Sequence, residues 1–229
     1  MALQGLQKLT LLDYPGRVAC TVFFGGCNFR CPFCHNAGLV RGGFAPELGE
    51  EELLAYLKKR RGVLEGVCVS GGEPLLEPGL ADLLERVKAL GYAVKLDTNG
   101  SFPHRLRQLV EKGLVDTVAM DIKNSPAGYA RTAGVPGLDL APIRESAAFL
   151  LGGGADYELR TTVAAGLHTE ADFVAIGEWL AGAKRYFLQR FADSGDVLEP
   201  GLSAPGEEEM RRYLAALQKN IPAARIRGG

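Results

Sequence analysis

The chain has almost no net charge and no long apolar run. Its 26 lysine and arginine residues face 27 aspartate and glutamate residues, so the formal charge is −1 across 229 residues. No basic field is therefore available to attract nucleic acid or an anionic membrane. No stretch approaches the ~18 apolar residues of a membrane span, and no charged segment followed by an apolar one opens the chain. We expect a cytoplasmic protein that binds neither nucleic acid nor a membrane.

Cysteine is scarce and unevenly placed. Only five cysteines are present, and Cys27, Cys31 and Cys34 fall close together. An odd number with this crowding suits metal ligation in a reducing compartment better than a disulfide framework. Cys20 and Cys68 stand alone in apolar runs, where we expect small buried hydrophobic side chains.

Histidine is scarcer still, with three residues. His104 is expected near the start of a helix and His168 just before one, so surface or capping roles are predicted for both. His35 directly follows Cys34, which favours a role beside a metal ligand, with a solvent-facing position as the alternative.

Hydrophobic residues make up 47% of the chain, enough for a sizeable core. Six apolar, β-branched runs indicate short buried strands: Val18–Phe24, Gly66–Ser70, Ala93–Asp97, Thr117–Ile122, Glu158–Val163 and Arg185–Gln189. Helical segments separate them: Glu50–Lys59, Pro78–Leu90, Pro103–Glu111, Leu140–Leu151 and Thr169–Leu180. The alternation predicts an α/β fold with a parallel sheet and right-handed crossovers.

Six strand and helix units suit a partial (β/α)6 barrel of parallel strands, although an open doubly wound sheet would give the same pattern. We predict a single domain with a core of about 16–191 and a C-terminal extension over 200–229. The extension includes a last helix, Pro205–Leu217, and either caps the barrel or frays. In both architectures, ligands bind at the C-terminal ends of the strands.

The three clustered cysteines directly follow the first predicted strand, at that ligand-binding edge. Their spacings let one loop place three thiolates around one metal centre, and Gly25 and Gly26 let the backbone bend around it. Zinc is the alternative, but a structural zinc site normally has four ligands, and adjacency to Cys34 strains His35 as the fourth. A [4Fe–4S] cluster with three cysteine ligands leaves one iron for a cofactor or substrate. Two-cluster ferredoxins need more cysteines than this chain has.

Polar residues also end the next strands. Gly71 and Gly72 expose backbone groups to a ligand and Glu73 offers a carboxylate to an ammonium group, unless the segment is an ordinary turn. Asp97 and Asp121 close apolar strands and need a cation or hydroxyl as partner.

Two cations share this region of the predicted barrel. Lys123 follows Asp121 closely, and an ion pair that merely orders the rim is the alternative to a functional role. Arg160 lies within the fifth strand, where its guanidinium suits a bidentate grip on a carboxylate. That carboxylate belongs to a ligand, to Glu158 or to an aspartate across the barrel.

The CxxxCxxC pattern, with Phe33 before its last cysteine, resembles the signature of the radical S-adenosylmethionine superfamily. In that superfamily the methionine amino and carboxylate groups of the cofactor bind the unique iron, and an electron from the cluster cleaves the sulfonium to give a 5′-deoxyadenosyl radical. The resemblance implies a [4Fe–4S] cluster on Cys27, Cys31 and Cys34, with S-adenosyl-L-methionine as cofactor. The organic chemistry then belongs to the cofactor, and no further catalytic residue is implied.

The same resemblance implies roles for the strand-end residues. The segment from Gly71 to Glu73 would contact the cofactor's amino group, and Lys123 and Arg160 its carboxylate. In glycyl-radical activating enzymes, which the chain resembles, a monovalent cation lies at the positions of Asp97, Thr98 and Asp121. The remaining implied cofactor-binding residues are Phe33, His35, Asn99 and Gln189, with His35 expected near the adenine and Gln189 near the adenosyl group.

The segments Leu11–Arg17 and Phe23–Asn36 resemble the anaerobic ribonucleoside-triphosphate reductase activating proteins, over about Leu9–Phe191. One departure is Phe24–Gly26, where a glutamine or similar polar residue is expected before the glycine. Pyruvate formate-lyase activating enzymes share the same core and remain an alternative.

This resemblance implies hydrogen abstraction from one glycine of a partner glycyl-radical enzyme, with flavodoxin or ferredoxin as the reductant. Two other classes stay open. One is a radical enzyme acting on a small molecule, as in deazapurine or cofactor biosynthesis, and the other is a non-catalytic metal-binding module.

Overall fold

The computed structural model describes residues 2–41, 47–193 and 195–228. Its strands are β1 (Ala2–Leu3), β2 (Gly5–Thr10), β3 (Ala19–Phe24), β4 (Leu48–Gly49), β5 (Gly66–Gly71), β6 (Ala93–Thr98), β7 (Thr117–Asp121), β8 (Asp156–Val163), β9 (Tyr186–Arg190) and β10 (Arg225–Arg227). Its α-helices are α1 (Ala37–Arg41), α2 (Glu50–Lys59), α3 (Leu80–Ala89), α4 (Pro103–Glu111), α5 (Tyr129–Ala133), α6 (Ala141–Leu151), α7 (Glu170–Trp179) and α8 (Glu207–Gln218). A short 3-10 helix spans Pro74–Leu76.

Eight strands form one sheet in the order β10-β9-β8-β7-β6-β5-β3-β2. Every pair from β3 to β10 is parallel, while β2 runs antiparallel to β3. The six predicted strands are β3 and β5 to β9, with bounds within two residues of the prediction. The α/β fold with a parallel barrel-type sheet is therefore confirmed.

The predicted helices are also present, and α2 and α4 begin and end where the sequence placed them. In α3 the apolar stripe of Leu80, Leu83, Leu84 and Val87 is fully buried, as a period of three to four residues requires. No described helix is both long and apolar enough to cross a bilayer.

Besides the two-residue strands β1 and β4, four elements were not predicted: β2, β10, α1 and α5. Strands β2 and β10 lie at the edges of the sheet and carry many polar residues, so they lack the apolar signal of a buried strand. Each of the two helices has five residues, too few for helical periodicity to be detected. The prediction of a sheet made only of parallel strands was therefore incomplete, because it lacked the antiparallel edge strand β2.

The C-terminal extension continues the sheet. Helix α8 packs against α7, where the rings of Tyr213 and Phe173 stack with centroids 4.8 Å apart. Strand β10 pairs with β9, and the Arg227 guanidinium lies 3.5 Å from the centre of the Phe187 ring. The same guanidinium makes two hydrogen bonds, of 2.8 and 2.7 Å, to Glu158. The described residues of the extension, 200–228, thus pack onto the fold. A single domain with a core of about 16–191 stays a prediction.

Candidate active site

The C-terminal ends of the parallel strands line a cavity of about 270 Å³. Strand register sets the neighbours, since Phe24 pairs with Gly71 and Asp121 with Arg160. Fourteen of the predicted site residues line this one cavity: Cys27, Cys31, Phe33, Cys34, His35, Gly71, Gly72, Asp97, Thr98, Asn99, Asp121, Lys123, Arg160 and Gln189. Glu73 is the remaining predicted residue, and it lies behind the cavity wall.

The cysteine loop touches the glycine turn backbone to backbone. The amide of Gly72 donates to the Phe24 carbonyl and the amide of Glu73 to the Gly26 carbonyl, both at 2.9 Å. A Cβ atom on residue 72 would lie 1.8 Å from the Gly26 carbonyl oxygen. Glycine is needed at position 72 because the two loops leave no space for a side chain.

Helix α5 holds the other side of the cysteine loop. The Arg30 amide donates to the Ala133 carbonyl at 2.8 Å, and the Cys31 Sγ lies 3.8 Å from the same oxygen. Gly134 ends the helix with φ +65°, and a Cβ there would lie 2.1 Å from the Arg30 carbonyl oxygen. A left-handed glycine at this helix end therefore lets the loop approach closely.

The segment after β9 covers the loop from outside. The Glu199 amide donates to the Pro32 carbonyl at 3.0 Å. The rings of His35 and Phe191 stack, with centroids 5.5 Å apart and planes 22° from parallel. His35 thus has an aromatic neighbour within the chain at the mouth of the cavity.

Burial raises the pKa of the Cys31 thiol to about 12 and also raises those of Cys27 and Cys34. The Lys123 ammonium opposes this shift at all three thiols. A bound metal needs thiolates, so loading the site releases protons. Among the described residues no three Cys, His, Asp or Glu side chains converge as a single metal ion requires. In a cubane cluster each thiolate binds its own iron, and the three thiols of one loop fit that donor set.

Five ionised side chains form a network opposite the cysteine loop, which we call the charged wall: Lys95, Asp97, Asp121, Lys123 and Arg160. Lys95 is buried behind the cavity lining, whereas the other four line the cavity and are partly exposed. Arg160 bridges two carboxylates, with Nη2 3.2 Å from Asp97 Oδ2 and Nε 2.5 Å from Asp121 Oδ1. The Lys123 ammonium lies 3.0 Å from Asp121 Oδ2, and Lys95 contacts Asp97 Oδ1. Burial alone would raise the pKa of both carboxyls, but the neighbouring cations outweigh burial, so both pKa values lie below the ordinary value. Arg160 and Lys95 lower the pKa of Asp97, and Arg160 and Lys123 lower that of Asp121. Both aspartates are therefore ionised.

Lys95 is a cation of this network that the sequence analysis missed. Its side chain is 1% exposed and lies two residues before Asp97 on the same strand. Side chains two residues apart share one face of a strand, and this alternation was the available signal. Asn28 was missed as well, and its Oδ1 accepts from Asn99 Nδ2 at 2.8 Å.

Glu73 ties two strand ends together behind the wall. Its Oε1 accepts from the Leu75 amide at 3.0 Å and from the Thr98 hydroxyl at 2.9 Å, while Oε2 accepts from the Asn99 amide at 2.7 Å. Burial raises the pKa of this carboxyl to about 7. The wall in front of it is formed by the backbone of Gly71 and Gly72.

Replacing Glu73 by glutamine should destabilise the protein by about 1–3 kcal/mol, the cost of a buried donor left without an acceptor. A carboxylate accepts at both oxygens, whereas an amide donates at one end, so the Asn99 or the Leu75 amide would face another donor. Urea unfolding above pH 7, where Glu73 is ionised, measures the loss. Glu77→Gln is the matched control, because Glu77 accepts from Gly79 through one oxygen only. Equal stability of the two variants would contradict the role of Glu73.

His168 corrects the expectation of a surface role. It is 3% exposed because it lies under α7 and α8. Its Nε2 lies 2.9 Å from the Lys123 carbonyl and its Nδ1 3.3 Å from the Ala164 amide. A neutral ring that donates from Nε2 and accepts at Nδ1 satisfies both partners. Burial lowers the pKa of His168, although the Lys123 carbonyl opposes this.

Stability should fall in acid through His168. Its folded pKa lies below the ordinary 6.5, so the unfolded chain takes up the proton first and stability drops as pH falls below 6.5. The slope is at most about 1.4 kcal/mol per pH unit for one proton. Unfolding free energies of wild type and His168→Gln on both sides of pH 6.5 test this, with His104→Gln as control. The unfolding free energy of His168→Gln should fall less steeply with decreasing pH than that of wild type. If the two proteins show the same slope, His168 does not cause the acid dependence.

Comparison with known proteins assigns the family. The family model for the Radical SAM superfamily matches residues 21–180, more than half of the chain. A predicted glycyl-radical enzyme activating enzyme of Methanocaldococcus jannaschii is 27% identical over 97% of this chain and 94% of its own length. The pyruvate formate-lyase-activating enzyme of Clostridium pasteurianum is 34% identical over 53% of this chain and 52% of its own.

A solved structure shows the same fold. Streptococcus suis SuiB bound to S-adenosylmethionine has a TM-score of 0.68 and 14% identity, over 91% of this chain and 52% of that chain. The fold that carries the cysteine loop and the glycine turn is thus a known one. This chain belongs to the radical SAM superfamily, as an enzyme that uses a [4Fe–4S] cluster and S-adenosyl-L-methionine.

Proposed function

We propose that this enzyme generates a glycyl radical on a partner protein, most specifically an anaerobic ribonucleoside-triphosphate reductase. The similarity that carries the proposal is the one to the predicted activating enzyme of M. jannaschii, because it extends over 97% of the chain. A pyruvate formate-lyase is the second candidate partner, supported by the 34% identity to its activating enzyme over about half of each chain.

The residues that hold the cofactors follow from the site. Cys27, Cys31 and Cys34 would hold the cluster, and the exposed backbone of the glycine turn would receive the cofactor's amino group. Lys123 and Arg160 would receive its carboxylate, because the charged wall carries three cations against two carboxylates. When bound and reduced, the cluster would supply the one electron that splits S-adenosylmethionine into methionine and a 5′-deoxyadenosyl radical, and that radical would take a hydrogen atom from the glycine Cα. The electron comes from a reductant such as flavodoxin or ferredoxin.

The open sheet supports a protein substrate. Strands β2 and β10 form its two edges, and the cavity lies at the C-terminal ends of the strands between them. A closed eight-strand barrel is filled by its own side chains, whereas an open sheet leaves a lateral approach for a loop that carries the target glycine.

Electron paramagnetic resonance of an anaerobic mixture tests the proposal. Reconstituted enzyme, dithionite, S-adenosylmethionine and the purified reductase should give an organic radical signal on the reductase. Deuterium placed at the glycine Cα should appear in 5′-deoxyadenosine. The matched control is the reductase with its radical-bearing glycine replaced by alanine, which should give neither signal.

Each candidate partner has its own outcome. A radical on pyruvate formate-lyase but not on the reductase would overturn the reductase as partner. Cleavage of S-adenosylmethionine without a radical on either protein would overturn activation of both and favour a small-molecule substrate.

A further inference from the structure

The predicted monovalent cation does not fit the charged wall of this chain. Asp97 Oδ1 contacts the Lys95 ammonium, and Asp97 Oδ2 lies 3.2 Å from Arg160 and accepts from the Ser70 hydroxyl at 3.1 Å. Both oxygens of Asp121 also face cations, those of Arg160 and Lys123. All four carboxylate oxygens are therefore already engaged by side chains.

The third predicted cation ligand points elsewhere. The Thr98 hydroxyl donates to Glu73 at 2.9 Å and accepts from the Gly100 amide at 3.1 Å. Thr98 borders the cavity, but only 3% of its surface is exposed. Asp97, Thr98 and Asp121 consequently do not offer a shared set of free oxygen ligands to a metal ion.

We propose that the Lys95 ammonium takes the place of the monovalent cation, so that S-adenosylmethionine binds without sodium or potassium. The side chain is 1% exposed, and a buried ammonium is stable only when paired. Its partner is Asp97, and Cys68 Sγ lies 3.9 Å from Nζ. Both groups face Lys95 inside the barrel, so the lysine is fixed next to the wall that receives the cofactor.

Charge balance gives Lys95 its function. The five ion-paired side chains carry three positive and two negative charges, which leaves one positive charge in excess. Lys95 lies behind the cavity lining and contributes its charge through its contact with Asp97. Glu158, also on the inner face, does not cancel that charge because Arg227 neutralises it through two hydrogen bonds. One excess charge matches the single carboxylate of the cofactor. A metal ion added to this wall would place a second excess charge in a buried space.

The test measures the affinity of the reconstituted enzyme for S-adenosylmethionine by calorimetry. The salt is choline chloride, then sodium or potassium chloride at the same ionic strength. Wild-type affinity should change by less than about twofold, since screening is constant. Lys95→Met should bind about tenfold more weakly in choline chloride, because the excess charge is lost. Potassium or sodium should restore much of that affinity, a response that a purely structural lysine would not produce.

The matched control is Lys88→Met, since Lys88 pairs with Asp116 at 2.8 Å outside the cavity. It should bind as wild type does in every salt. Wild-type affinity that rises about fivefold or more with sodium or potassium would overturn the proposal. The proposal would also be overturned if the Lys95→Met enzyme folds, carries its iron and binds S-adenosylmethionine with wild-type affinity in choline chloride. If that variant fails to fold, the wild-type salt comparison decides alone. No partner protein is present, so this result is independent of the proposed partner.

Discussion

Replacing Gly72 by alanine should leave the purified enzyme without its cluster, although residue 72 supplies no ligand. The new Cβ would lie 1.8 Å from the Gly26 carbonyl oxygen and 2.6 Å from its carbonyl carbon. Both are backbone atoms of the loop that begins the cysteine motif, so the clash cannot be relieved by turning a side chain. The glycine turn and the cysteine loop must separate, which also breaks the hydrogen bond from Glu73 to Gly26. We expect a loss of about 3 kcal/mol or more in stability.

Iron and sulfide analysis after anaerobic reconstitution measures this effect, together with thermal unfolding of the apoprotein. Gly152→Ala is the matched control: its φ is −70° and the nearest atom to a new Cβ is 3.3 Å away. Alanine there should leave the iron content unchanged and change stability by less than about 1 kcal/mol, because its restriction of the unfolded chain offsets the close contact. A Gly72→Ala enzyme with wild-type iron content would show that the close approach of the two loops is dispensable.

The strands and most helices could be predicted because each carries its own local signal. A buried parallel strand is a short apolar run, and β3 and β5 to β9 all have one. Parallel strands end at one edge of the sheet, so residues that follow different strands could be expected to meet. The cavity lining agrees with that expectation for cysteines and aspartates far apart in the sequence.

The pairing of charges inside the barrel could not be predicted. Glu158 and Arg160 lie on the same face of one strand, and their closeness made Glu158 a natural partner for the guanidinium. In the structure Arg227, from the C-terminal strand, takes Glu158 instead, and Arg160 bridges Asp97 and Asp121. The choice depends on strand β10, whose few residues carry no strand signal of their own.

The burial of His168 and Lys95 illustrates the same limit. His168 precedes a helix, and its burial results from packing against the side chains of α7 and α8. From its charge alone, a lysine within an apolar strand is expected at an edge of the sheet or at the surface. Lys95 lies inside because Asp97 and the neighbouring strands compensate its charge, a property of the assembled sheet.

Replacing Cys31 by alanine should abolish cluster binding while leaving the fold intact. Cys31 is 5% exposed, and its Sγ lies 3.8 Å from the Ala133 carbonyl oxygen of α5. Loss of one sulfur from this position should cost about 1 kcal/mol in stability. A cubane cluster bound by only two protein thiolates lacks one of the three ligands that the loop provides. Iron content and reductive cleavage of S-adenosylmethionine should both fall to the background of their assays.

Cys20→Ala is the matched control for this variant, because Cys20 is also fully buried but lies within β3 and outside the cavity lining. Burial raises the pKa of its thiol to about 12 with no lysine opposing the shift, so it has the character of a small apolar side chain. The two variants lose the same atom from equally buried positions, and only the loss at Cys31 should remove iron. Equal iron contents in the two proteins would mean that the thiols of the loop do not hold the cluster.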